Sequence, residues 1–194
     1  MKKSLGSKPW ALPSPVWVVG TYGDDGQPNM MTLSWGGICS SDPPCVAISV
    51  RKSRLTYSNI IKRKAFTINI PSKQHLTAVD YAGIASGKHA DKFLAAGLTP
   101  IQSDLVQAPY AEEFPLILEC RLLHTVEIGV HTQFIGEILD VKAEAAVLNE
   151  QKCPVIELIN PIISTAPDRK YYEVGGCLGQ AYHTGLKIVG TKIK

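Results

Sequence analysis

Thirteen prolines and sixteen glycines break this 194-residue chain into short pieces. Proline removes a backbone donor and fixes φ, glycine weakens helices and strands alike, and both mark turns. Punctuation this dense leaves little room for a long helix and favours brief strands. Val16-Trp17-Val18-Val19-Gly20-Thr21 is a β-branched run that meets Gly23-Asp24-Asp25-Gly26, a strong turn signal, and Pro28 to Ser34 resumes an extended pattern. The spacing predicts a hairpin. Cys45–Val50 and Ala65–Ile70 read as two further strands. Between them Tyr57, Ile60 and Ile61 recur at helical spacing, with Ser53 or Thr56 as the expected N-cap.

The second half repeats the style. Leu116, Leu118, Cys120 and Leu122 alternate with Glu119 and Arg121, the signature of a half-buried strand, and Gln133 to Lys142 predicts its partner. Short helices are expected over His75–Tyr81 and over Ala90–Ala96, the latter closed by Gly97, while Gly175-Gly176-Cys177-Leu178-Gly179 reads as a turn. Regular strand–helix alternation is absent, which excludes a parallel doubly wound sheet. The expectation is a mainly β chain with short helices, its strands forming a closed or partly open antiparallel barrel with Greek-key-like connections.

Composition places that barrel in one domain, residues 1–194. Hydrophobic residues make up 45% and charged residues 19%, ordinary for a globular protein. The net charge of +3 excludes little and identifies no partner. No apolar run reaches the ~18 residues of a membrane span, and Met1-Lys2-Lys3 has no apolar segment behind it, so a cytoplasmic location is expected. Five cysteines at irregular spacing, with no Cys-x-x-Cys pair, argue against a disulfide framework or zinc ribbon. The five histidines lack zinc-site spacing, so no metal is expected. Glycine fingerprints for dinucleotides, Walker loops and Gly-x-Ser-x-Gly elbows are all missing.

Two stretches carry chemistry. In Ser49-Val50-Arg51-Lys52-Ser53-Arg54-Leu55-Thr56-Tyr57 a strand ends, cations and hydroxyls interleave, and a helix begins. A helix start offers free N–H groups and a positive dipole end, so this pattern is a phosphate cradle or, more simply, a capped and solvated charged loop. In Asn29-Met30-Met31-Thr32-Leu33-Ser34-Trp35-Gly36-Gly37 a strand leads into hydroxyls, an indole and a glycine pair. Either a flat ligand lies against it, with the glycines granting close approach, or Trp35 is a core residue before a turn.

Both stretches fall inside one family pattern. Asn29-x-Met31-Thr32-x-Ser34-Trp35-x-Gly37, Ser41-Asp42-Pro43-Pro44, Ile48-Ser49-Val50-Arg51 and Arg54-x-Thr56-Tyr57 resemble the flavoredoxin branch of the flavin reductase-like family. Phe66–Pro71, Val79–Gly83, Ser86-Gly87, Asp91-Lys92-Phe93, Ala108-Pro109 and His131–Glu137 extend the match in order, across about residues 10–142. The resemblance implies an FMN-binding split β-barrel acting as a homodimer, with a flavin near each subunit interface. It implies Met31, Thr32, Leu33, Ser34 and Trp35 along the ring and ribityl chain, a backbone N–H of that segment facing the ring edge, and Ser49 and Val50 beside it. Arg51, Arg54, Thr56 and Tyr57 would hold the phosphate, with Thr56 rather than Ser53 as its hydroxyl. Asn69 would stand on a neighbouring strand and Lys92 near the cofactor. His131 would face the side where a nicotinamide or substrate stacks. No protein acid or base is required, so no catalytic residue is expected. The implied activity is FMN-dependent oxidoreduction, fed by NAD(P)H or a small redox protein. The alternative is a non-catalytic flavin carrier or sensor. A nucleic-acid role for Lys52, Arg54, Lys62, Arg63 and Lys64 lacks interleaved exposed aromatics and explains none of these segments.

Overall fold

The computed structural model describes residues 1–189. Its strands in chain order are β1 (Ser14–Pro15), β2 (Trp17–Tyr22), β3 (Pro28–Leu33), β4 (Gly36–Ser41), β5 (Pro44–Arg51), β6 (Ala65–Ile70), β7 (Pro100–Gln102), β8 (Pro109–Ala111), β9 (Leu116–Ile128), β10 (His131–Ala143), β11 (Ile162–Thr165) and β12 (Lys170–Glu173). The α-helices are α1 (Leu55–Arg63), α2 (Leu76–Ile84), α3 (Lys92–Ala96), α4 (Ile156–Ile159) and α5 (Leu186–Val189).

Seven strands form one antiparallel sheet in the order β3-β2-β6-β9-β10-β5-β4. Its two edge strands, β3 and β4, are consecutive in sequence and joined only by Ser34 and Trp35. Two residues span at most ~7 Å, so the sheet must curl until its edges nearly meet. The result is a split barrel. Val19 and Met31 from one side share its interior with Val46, Ile48, Val50, Phe66 and Phe134 from the others.

Successive residues on the same strands face opposite ways, and both faces are buried. Val19, Met31 and Leu118 point into the barrel, whereas Val18, Met30 and Ile117 pack outside it against Val79, Ala82 and Phe93 of α2 and α3. Double burial explains why β2 reads as a continuous apolar run instead of an alternation.

Several boundaries differ from the sequence expectation. β4, which no sequence signal marked as a strand, pairs with β5; Gly-Gly-Ile-Cys-Ser-Ser has weak intrinsic preference, and that pairing supplies its order. Neither Ser53 nor Thr56 caps α1: Arg54 occupies the N-cap position without a side-chain cap bond. The helix expected over Ala90–Ala96 begins only at Lys92, because Asp91 caps it by accepting the Leu94 N–H at 3.0 Å, and it stops at Gly97 as expected. β9 and β10 each run for 13 residues, longer than expected, because Gly129-Val130 alone turns the chain between them. No helix among the described residues is long and apolar enough to cross a membrane.

Candidate functional site

The slit between the barrel's edges is an elongated cleft of two joined compartments. One, about 230 Å³, is lined by Met31, Thr32, Leu33, Ser34 and Trp35 from the β3 side and by Ser49, Val50, Arg51, Arg54 and His131 from the other. The second, about 160 Å³, continues past the shared Met31, Arg51 and Arg54 to Ser53, Thr56, Ser86 and Lys92. One end is thus aromatic and the other cationic.

The cationic end is built at the start of α1. That helix has no side-chain cap and no acidic residue in its first turn, so its positive dipole end meets the compartment without a protein anion. Arg51 and Arg54 flank it. Lys52 does not contribute, since its ammonium turns away to Glu127 at 2.7 Å. Lys92 comes from α3, is 4% exposed, and donates one hydrogen bond, to the Ala82 carbonyl at 2.8 Å. Burial first and the neighbouring Arg54 second push its pKa down to about 8. An ammonium with N–H groups to spare, held among two guanidiniums, is stabilised by an incoming anion.

Beneath this end lies a buried polar network. Asn29 donates to Thr56 Oγ1 at 3.1 Å and to Thr21 Oγ1 at 3.3 Å, and Asn59 donates to Thr21 Oγ1 at 3.1 Å. The network fixes α1 against the β2–β3 hairpin, while Asn29 Oδ1 is buried without a partner. Gly87 closes over it: a Cβ there would lie 2.0 Å from Asn29 Oδ1, so only glycine lets the 85–87 turn descend onto the network.

At the aromatic end Trp35 packs against His131, ring centroids 4.8 Å apart at 43°. Burial, and less strongly Arg51, lower the His131 pKa. Thr32 donates to the Val79 carbonyl of α2, and Ser34 accepts from Ser164 of β11 at 3.0 Å. These hydroxyls tie the β3–β4 junction to its surroundings, and Ser34 keeps its proton for another acceptor. The two glycines of the pair differ in what surrounds them. A Cβ on Gly36 would meet the Trp17 ring at 2.5 Å, and one on Gly37 would meet nothing within 4 Å. Gly36 admits the Trp17 indole.

Of the residues singled out from sequence, two stand outside the cleft. Tyr57 packs on Phe134 at 5.5 Å in the barrel interior. Asn69 spends its amide on the Val18 carbonyl, Thr67 Oγ1 and the Ala111 N–H, so it pins β8 to the barrel. The others come together. Asn29, Leu55, Ser86 and Gly87 were missed as lining residues. Asn29 and Ser86-Gly87 belong to the matched motifs, which was their one signal.

Comparison with known proteins identifies the family. The flavin reductase like domain matches residues 10–159. The flavoredoxin of Desulfovibrio vulgaris (Miyazaki F) is 48% identical and superposes with a TM-score of 0.92, over 95% of this chain and 100% of that one. The flavoredoxin of Methanosarcina acetivorans is 31% identical with a TM-score of 0.90, over 97% and 100%. An uncharacterized protein of Archaeoglobus fulgidus is 36% identical over 115 residues, which cover 59% of this chain and 65% of that relative's length. The chain belongs to the flavin reductase-like family, on its flavoredoxin branch.

Proposed function

We propose that the cleft binds FMN and that residues 1–194 act as one domain of an FMN-dependent oxidoreductase of the flavin reductase or flavoredoxin type. The observation that carries this reading is the buried, under-bonded Lys92 beside Arg51, Arg54 and the uncapped start of α1. That constellation suits a phosphate monoester, and the cleft leading from it to Trp35 suits a planar ring on a short polar chain. A bound flavin supplies the redox chemistry, exchanging a hydride or single electrons with its partner.

The chain's own residues bind and orient. Arg51, Arg54 and Lys92 neutralise the phosphate, with Ser53, Thr56 and Ser86 as hydroxyl donors. Met31 to Trp35 form one wall, and Ser49 and Val50 the other. His131, whose hold on a proton is weakened by burial and by Arg51, braces the Trp35 indole and presents its ring edge to the electron donor. Tyr57 and Asn69 act from behind this wall by fixing α1 and β8. No side chain is assigned a proton-transfer step.

The reading extends to a cytoplasmic homodimer fed by NAD(P)H or a small redox protein. Val126, Ile128 and Val130, 43%, 58% and 69% exposed, form an apolar tip on β9–β10 beside His131, which supports a subunit contact next to the cleft. The test is direct. The purified protein should be yellow, release FMN and no FAD on denaturation, and sediment as a dimer. A colourless protein that takes up no added FMN would overturn the reading. Anaerobic bleaching by NADH or NADPH identifies a reductase; reduction by a reduced small iron protein alone identifies an electron carrier; no reduction by any donor leaves a carrier or sensor.

A further inference from the structure

The chain has three tryptophans, Trp10, Trp17 and Trp35, and all three gather at the aromatic end of the cleft. Trp17 lies beneath Gly36. Trp35 lines the cleft and also a second, larger cavity of about 650 Å³ on the side away from the phosphate end. The opposite wall of that cavity is the N-terminal strap, with Lys8, Trp10, Pro13 and Pro15. Trp10 and Trp35 are each 41% exposed, large apolar surfaces that no part of the described chain covers fully. Lys8 stands over Trp10, its ammonium 5.9 Å from the ring centroid, and among the described residues is the one charged residue lining the cavity.

We propose that this outer cavity is a binding site for a planar aromatic anion, a substrate held next to the redox cleft with Trp35 as their common wall. Its volume falls within the ~300–1,000 Å³ of small-molecule sites. Two indoles offer stacking surface, and stacking selects flat rings over aliphatic chains. Three prolines along the strap (Pro9, Pro13, Pro15) restrict the backbone of one wall, so less ordering is lost on binding. Among the described lining residues a lysine stands without a carboxylate, which favours a negative substituent such as a carboxylate or sulfonate. The placement rests on the flavin reading of the neighbouring cleft; the binding event does not.

Anthraquinone-2-sulfonate is the probe, titrated calorimetrically into the full chain both stripped of flavin and saturated with FMN. One-site binding is expected in both states. Trp10→Ala should weaken it about tenfold, the upper range of a lost aromatic pair, without altering FMN retention, because Trp10 lies outside the cleft. Lys8→Glu should weaken the sulfonate several-fold and leave its neutral analogue 2-(hydroxymethyl)anthraquinone unchanged. Equal affinity in wild type and Trp10→Ala would overturn the proposal. So would loss of binding on FMN saturation, which would put the probe in the cleft, or a Trp10 shielded from acrylamide quenching in the dimer, which would make the cavity a subunit interface. Because the stripped protein is tested separately, a failure here leaves the flavin reading standing, and the reverse.

Discussion

The two ends of the cleft are made in opposite ways. The cationic end draws Arg51, Ser53, Arg54 and Thr56 from six consecutive residues where β5 stops and α1 starts, and adds Lys92 from α3. The aromatic end takes Trp35 from the β3–β4 junction, His131 from the start of β10 and a fastening from Ser164 on β11. One end works by charge set at a helix terminus, the other by ring packing across the barrel slit. The difference implies that the first supplies affinity and the second supplies placement.

The largest test of that division removes the charges. Arg51→Ala combined with Arg54→Ala should weaken FMN binding about a hundredfold, since charge-assisted hydrogen bonds are the strong ones even after screening at exposed side chains. Trp35→Ala should cost about tenfold or less. If equilibrium titration of the flavin-free protein found the tryptophan change the more damaging, the division would be reversed.

Lys92 sharpens the same contrast because its two effects have opposite sign. Its charged form is disfavoured in the folded, flavin-free protein, where the pKa falls from 10.5 to about 8. Below pH 8 the lysine is protonated whether folded or not, and the fold bears the full cost of burying the charge. Between pH 8 and 10.5 the unfolded chain still holds the proton that the folded chain has released, so stability rises with pH. Lys92→Met should therefore stabilise the flavin-free protein by about 2 kcal/mol at pH 7 and yet weaken FMN binding. In the wild type, affinity should stay level up to about pH 8 and decline above it, and in Lys92→Met that decline should be much shallower. Melting temperatures with and without FMN, and dissociation constants from pH 7 to 10, separate these outcomes.

How much of this was legible from sequence follows the same division. Cations, hydroxyls and a helix start within nine residues are local, and local chemistry can be read along a chain. The burial of Lys92 is not local. Nothing in Asp91-Lys92-Phe93 distinguishes a solvated lysine from one folded under the Ala82 carbonyl, and only the family pattern pointed to it. Ser34 bonding Ser164, Trp17 sliding under Gly36, and Asn69 pinning β8 are long-range pairings that no spacing encodes. β4 escaped notice for a related reason: its order comes from β5, not from its own residues. The barrel itself was readable because turn signals and double-faced apolar runs are local too.

The subtlest test asks whether the two ends sense each other. Arg51 belongs to the cationic end, yet its charge contributes to the lowered pKa of His131, after the larger effect of burial. Arg51→Ala should therefore raise the His131 midpoint part of the way toward the ordinary 6.5 and no further, because desolvation remains. Protonated His131 would place a cation against the Trp35 ring and alter the cleft's aromatic wall. The midpoint is read from the imidazole proton resonances of the flavin-free protein, assigned with His131→Asn. An unchanged midpoint in Arg51→Ala would mean that the ends are electrostatically separate. Full recovery would mean that His131 is more hydrated than its contact with Trp35 implies. A partial rise makes the arginine the link by which an anion at one end is felt at the other: neutralising Arg51 with phosphate should raise the His131 midpoint as the substitution does.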